Sequence, residues 1–155
     1  NADIIVRITS DCPLIDPIVT EDVIDFYIKN ICKFDYISNT LQRTYPRGLD
    51  TEVFSFHSLE KAFNDATLGR DREHVTAYIW GNPNVFKLGC YRNDEDYSNL
   101  RWTLDTKKDY ELIKRIYSYF YSFNNINFSM KDIINLYKVD SELININSMI
   151  KQKEI

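Results

Sequence analysis

Cysteine is sparse in this chain and poorly placed for cross-linking: Cys12, Cys32 and Cys90 are odd in number and no two lie close together. That spacing excludes a disulfide framework or a CxxC zinc site as an organising device, and it suits reduced thiols in a cytoplasm. Long hydrophobic runs are missing too. Nothing approaches the roughly 18 apolar residues of a membrane span, and the first residues do not read as a signal peptide. No basic patch stands out against a formal net charge of -4, which argues against non-specific nucleic-acid binding as the main task. Internal repeats and low-complexity linkers are absent as well. A soluble, cytoplasmic chain is expected, with neither nucleic acid nor membrane as its partner.

What is present is ordinary for a globular protein. The 155 residues are 44% hydrophobic and 27% charged, enough for about one domain that buries roughly two thirds of its unfolded surface. The apolar run from Ile4 to Ile8 ends in Thr9-Ser10-Asp11-Cys12-Pro13. Its bulky, β-branched residues read as a strand buried on both faces. Ligands of open α/β sheets bind beyond the carboxyl ends of strands, so Asp11 either holds a metal or phosphate-bearing ligand there or caps the turn before Pro13. Thr20 is then a candidate cap for a helix with Ile24, Tyr27, Ile28 and Ile31 on one face. Strands are expected at 33–38, 51–56, 85–91 and 100–104. Helices are expected around Leu59–Ala66, ended by Gly69, then from about Asp71 through Ile79, and along Leu112–Phe120. Thr106–Asp109 and Ser129–Asp132 each have capping-box form. Residues 141–155 form a weakly patterned tail, either docked or frayed. This alternation predicts a layered α/β sheet, mostly parallel.

Four segments occur in order: Arg7-Ile-Thr-Ser-Asp-Cys-Pro-Leu-Ile-Asp-Pro17, Tyr45-Pro-Arg-Gly-Leu-Asp-Thr-Glu-Val53, Asp71-Arg-Glu-His-Val-Thr76, and Arg101-Trp-Thr-Leu-Asp-Thr106 with Asp109. Together they resemble the cytidylyltransferase family, in its spore-coat polysaccharide branch, related to the synthetases of CMP-activated sugar acids. The resemblance covers about three quarters of the chain. It implies a three-layer, Rossmann-like nucleotide-diphosphosugar-transferase fold, with CTP or another nucleoside triphosphate and a sugar as partners. The family opens with a strand and a loop rich in Gly, Ser, Arg and Lys around the triphosphate. That segment is missing before Asn1, so residues 1–125 are read as the C-terminal portion of such a domain and 126–155 as a helical extension.

Nucleotidyl transfer needs charge neutralisation on phosphates, usually by Mg²⁺ held through one or two carboxylates and substrate oxygens. Asp11 and Asp105 both follow strand-like runs, and the resemblance places the family's metal-holding aspartates on the same two positions. Asp109 is better suited to capping, and Asp16 to a turn. Arg7, Arg43 and Arg47 are candidate substrate contacts, because a guanidinium suits the carboxylate or phosphate of an acidic sugar. Asp50 and Glu52 can accept from sugar hydroxyls; the alternative is a solvated hairpin laced by ion pairs. Arg72, Glu73 and His74 either start a solvated helix or orient substrate, with His74 as a proton carrier. Trp102 reads as core, and the aromatics Tyr117 to Phe123 suggest a homodimer contact. Two other functions stand beside nucleotidyl transfer: a non-catalytic sugar- or nucleotide-binding module, and a glycosyltransferase of similar fold.

Overall fold

A computed structural model describes residues 2–152. Four strands form one sheet: β1 (Ile4–Arg7), β2 (Tyr36–Ser38), β3 (Glu52–Ser55) and β4 (Leu88–Cys90), in the spatial order β1-β3-β2-β4. The two-residue period of a strand sends alternate side chains to opposite faces, and both faces are covered. Tyr36 and Phe54, paired across the ladder, point to a layer that contains Ala62, Ile79 and Phe86. Ile37 and Val53, the next pair, point the other way onto Val23 and Tyr27. Ala62 and Ile79 belong to α2 (Phe56–Asp65) and α4 (Ala77–Gly81), with Phe86 from the turn that follows, on one side, and Val23 and Tyr27 to α1 (Pro17–Lys29) on the other, so the three-layer α/β expectation holds.

The strand directions do not follow the expectation of a mostly parallel sheet. β3 is antiparallel to both β1 and β2, and β2 and β4 form the parallel pair. The helical crossover α1 does make β1 and β2 run the same way, as such connections require. The 39–51 connection carries no helix, however, so β3 returns beside β2 and slots between the two. β1 is consequently an edge strand and not one buried on both faces: Val6 is 40% exposed.

Local chemistry explains most helix boundaries. α1 starts at Pro17, because Asp16 caps it by accepting from the N–H groups of Ile18 and Val19, and Pro is pre-set for a first helical position. Thr20, the expected cap, lies inside the helix and donates to the Asp16 carbonyl. Gly69 does not end α2, which stops before Ala66; it opens the short α3 (Gly69–Glu73). A break at Val75, with φ +36°, separates α3 from α4. Both expected capping boxes form, at the starts of α5 (Lys107–Ser122) and α6 (Met130–Val139).

The largest buried cluster lies beside the sheet, where α5 and α6 close around Trp102, with Leu14, Tyr45 and Leu49 beneath. Trp102 is fully buried and donates from Nε1 to the Tyr137 hydroxyl at 2.9 Å. The 100–104 run, expected as a strand, is extended but outside the sheet. It pairs instead with the Pro46-Arg47-Gly48 turn: Arg47 N–H donates to the Leu100 carbonyl at 2.9 Å and Trp102 N–H to the Arg47 carbonyl at 2.6 Å. Further along, Leu104 N–H donates to the Asp11 carbonyl at 2.8 Å. This ribbon ties together three of the four sequence motifs. A 3-10 turn, Ser141–Asn145, then seats Leu143 in the same core.

Candidate functional site

Where the ribbon crosses the end of β1, a cleft of about 370 Å³ opens. The loop after β1 brings Thr9, Asp11 and Cys12 to it, the 40–52 segment brings Arg43, Arg47, Asp50 and Glu52, and Thr103 comes from the ribbon. Arg7, His74, Thr76, Trp80 and Gln152 complete its walls.

Thr103 is the centre of the carboxylate geometry. Its Oγ1 lies 3.0 Å from Asp11 Oδ2 and 3.5 Å from Asp105 Oδ2, so both aspartates meet one hydroxyl although they stand far apart in sequence. The same hydroxyl is 3.2 Å from the Asp11 carbonyl. Burial works to raise the Asp11 carboxyl, but hydrogen bonds from Thr9 and Thr103 overcome it and hold the group below the usual carboxylate range. Asp11 is thus an anion at neutral pH. Asp105 Oδ2 also receives an N–H of Arg101 at 2.6 Å, while Oδ1 has no hydrogen-bond partner among the described residues.

These donors suit Mg²⁺, an oxygen-seeking ion that proteins bind through one or two carboxylates and leave otherwise to waters and substrate phosphates. Among the described residues no group of three or more His, Cys, Asp or Glu is gathered around one point, so the chain offers no closed cage, and substrate oxygens would have to supply the remaining ligands. Cys12 is no competitor as a nucleophile. Burial, with Asp50 and Asp11 nearby, pushes its thiol up to about 11.

The basic residues divide into paired and unpaired. Arg43 grips Asp50 with two bonds, of 2.6 and 2.8 Å, and Asp50 Oδ1 also accepts the Gly48 N–H at 3.2 Å. Arg7 donates to Glu52 at 2.8 Å, and the Thr76 hydroxyl lies 3.0 and 3.1 Å from its two carboxylate oxygens. Asp50 and Glu52 therefore spend their acceptors inside the protein, shaping the wall by fixing Arg43 and Arg7. The Arg47 side chain has no hydrogen bond or salt bridge among the described residues, and it lines the cleft half-buried. It is the site's available guanidinium.

His74 reaches the cleft, whereas Arg72 and Glu73 do not line it. Arg72 turns back, donating from Nε to the Ala66 carbonyl at 3.0 Å and lying 5.0 Å over the Phe63 ring; Glu73 is exposed. Asp105 does not line the cleft either; it reaches it through Thr103, 3.5 Å away. Asp109 is fully buried and acts as the α5 cap. The hydroxyls of Thr9, Thr76 and Thr103 escaped the sequence reading, although Thr103 and Asp105, two apart in an extended run, necessarily share a side.

No family model matches the chain. Over 99% of its length the chain is 37% identical to an uncharacterized protein of Methanocaldococcus jannaschii, of which it covers 60%. Over 74% of its length it is 31% identical to the spore coat polysaccharide biosynthesis protein SpsF of Bacillus subtilis, covering 47% of that protein. The solved structure of a cytidylyltransferase from Leptospira borgpetersenii superposes with a TM-score of 0.85 at 37% identity, over 98% of this chain and 61% of that one. The chain thus spans about half to three fifths of the relatives it matches.

Proposed function

We propose that this chain, related to the cytidylyltransferases and to their spore-coat polysaccharide branch, carries the sugar- and metal-binding part of a nucleotidyltransferase that activates a sugar for surface polysaccharide. The observation that carries the reading is the meeting of Asp11 and Asp105 at the Thr103 hydroxyl, beside the unpaired Arg47. In this proposal Asp11 and Asp105 hold Mg²⁺ against the phosphates of CTP or another nucleoside triphosphate. Arg47 takes the anionic group of an acidic sugar, since a guanidinium matches carboxylate geometry with two donors. Arg7 and Arg43, each neutralised by its carboxylate, shape the wall and leave Arg47 as its unpaired positive group. His74 faces the sugar, where a histidine can carry a proton. The part of the relatives' length that this chain does not span, two fifths to about half of it, is proposed to supply the donors around the triphosphate, because transfer at phosphorus needs preorganised positive groups and N–H donors. Three unpaired cysteines fit a cytoplasmic setting, and among the described residues no helix is long and apolar enough to cross a membrane. The exposed rings of Tyr119 and Tyr121 on α5 and of Phe123 just beyond its end are the proposed homodimer contact, which sedimentation at micromolar concentration tests.

The test is pyrophosphate release from CTP and Mg²⁺ with a panel of acidic sugars. It is run on this chain and on a chain extended at its N terminus to the relatives' length. Release that Asp105→Ala and Asp11→Ala each reduce at least about a hundredfold, the scale of losing charge stabilisation at the reacting phosphate, supports the reading. Binding without pyrophosphate release would leave a non-catalytic module, and release of a nucleoside phosphate would make the protein a glycosyltransferase.

A further inference from the structure

The tail beyond the 3-10 turn reaches the site. Asn147, 4% exposed, donates from Nδ2 to Asp109 Oδ1 at 2.8 Å and lies 2.9 Å from the Arg101 carbonyl. Gln152 lines the cleft and accepts from the Arg101 guanidinium. Both contacts converge on one cation. Arg101 binds Asp109 through Nε at 2.9 Å and through a terminal nitrogen at 3.1 Å, and that same nitrogen binds Asp105 Oδ2 at 2.6 Å.

We propose that Asn147 and Gln152 are positioning residues of the site, which act through Arg101 to fix the carboxylate of Asp105. The inference rests on the reading of Asp105 as a metal-holding group. Its physical basis is the geometry of the guanidinium, a planar fork whose orientation is set once several of its donors are engaged. Asp109 occupies one side of the fork and Gln152 the opposite nitrogen. What is left for Asp105 is a single direction, which occupies its Oδ2 and leaves Oδ1 without a partner. Asn147 secures the arrangement from behind, because its amide spans Asp109 and the Arg101 backbone. Without the tail Asp109 alone holds the guanidinium, one of whose terminal nitrogens loses its partner, and Asp105, whose side chain is 43% exposed, loses part of that restraint. Groups that orient a metal-holding side chain are worth roughly ten- to a hundredfold in metal affinity.

The experiment measures Mn²⁺ as a stand-in for Mg²⁺, by electron paramagnetic resonance of the free ion, on the chain and on Asn147→Ala, Gln152→Ala, Ser148→Ala and Asp105→Ala variants. Far-ultraviolet circular dichroism and a thermal melt of each accompany the titration. Expected is Mn²⁺ binding that Asn147→Ala weakens about tenfold, Gln152→Ala weakens by a smaller factor, and Ser148→Ala leaves alone. Gln152 is exposed, so its variant keeps the test readable should Asn147→Ala unfold. A lower melting temperature for Asn147→Ala with unchanged Mn²⁺ affinity in both tail variants would make the tail merely structural and overturn the proposal. Mn²⁺ binding that is undetectable at millimolar ion, or insensitive to Asp105→Ala, would instead remove the metal reading and the proposal with it.

Discussion

Gly48 shows how much of the site rests on single residues. Its φ is +104°, a region that side chains other than glycine's avoid, and a Cβ there would lie 2.6 Å from the Trp102 carbonyl carbon and 2.7 Å from the Thr103 nitrogen. The close approach is what lets the Pro46-Arg47-Gly48 turn pair with the 100–104 ribbon, and so sets Arg47 near Thr103. Gly48→Ala is expected to lower unfolding stability by about 2 kcal/mol or more, the sum of positive-φ strain and a backbone clash. A urea melt checks this, and a change under about 0.5 kcal/mol would mean that the turn moves away cheaply. Asp109 is the second such residue: fully buried, it accepts from Arg101, Asn147, Thr106 and the Asp105 N–H. Asp109→Ala would strand the partly buried Arg101 and is expected to cost on the order of 3–5 kcal/mol, whereas Asp109→Asn, which keeps one acceptor, should cost less.

Among the elements, α1 and α6 share a connection that neither helix announces by itself. Asp16 caps α1 with Oδ1, 2.7 Å from the Ile18 nitrogen, and spends Oδ2 on the buried N–H of Met130 at 2.6 Å, the first residue of α6. Loss of the cap and an orphaned buried donor together predict about 2–4 kcal/mol of destabilisation for Asp16→Ala. Measured melts of Asp16→Ala and Asp16→Asn check it; equal stability in all three proteins would show that neither the cap nor the Met130 contact contributes. Sequence reading found neither contact, since it gave Thr20 as the α1 cap and Asp16 as a turn residue; it did find the capping boxes at Thr106 and Ser129, because such a box is a signal within four residues. It placed Trp102 in the core for the same kind of reason, an apolar run around a large ring. What escaped it depends on partners distant in the chain. The direction of β3 is set by the 39–51 loop, which returns the chain antiparallel beside β2 where a mostly parallel sheet was expected, and the tail's docking by Asn147 meeting Asp109. For Asp50 and Glu52 the sequence left sugar contacts and ion pairs across a hairpin open; Arg43 and Asp50 form such a pair, whereas the Arg7 that meets Glu52 comes from β1, far away in the chain.

For the whole molecule, these buried carboxylates tie stability to pH in one direction. Burial opposes ionisation at Asp109 and Asp11, but Arg101, Asn147 and Thr106 at the first, and Thr9 and Thr103 at the second, hold both below their ordinary range. A carboxylate depressed in the folded state binds fewer protons there than in the unfolded chain, so it favours folding wherever the unfolded group is ionised. That contribution is complete above the unfolded value of about 3.9 and disappears as pH falls through the lower folded value. Stability should therefore be nearly flat from neutrality down to about pH 5 and drop steeply below about pH 4. Urea midpoints across that range measure it, and the decisive comparison is with Asp109→Asn. This variant begins less stable but has lost one of the depressed groups, so its midpoint should fall less between pH 5 and pH 3. An equally steep fall would move the acid sensitivity away from the Arg101–Asp109 core. The tail and ribbon would then be held mainly by Trp102, Leu143 and their apolar neighbours, whose burial does not titrate.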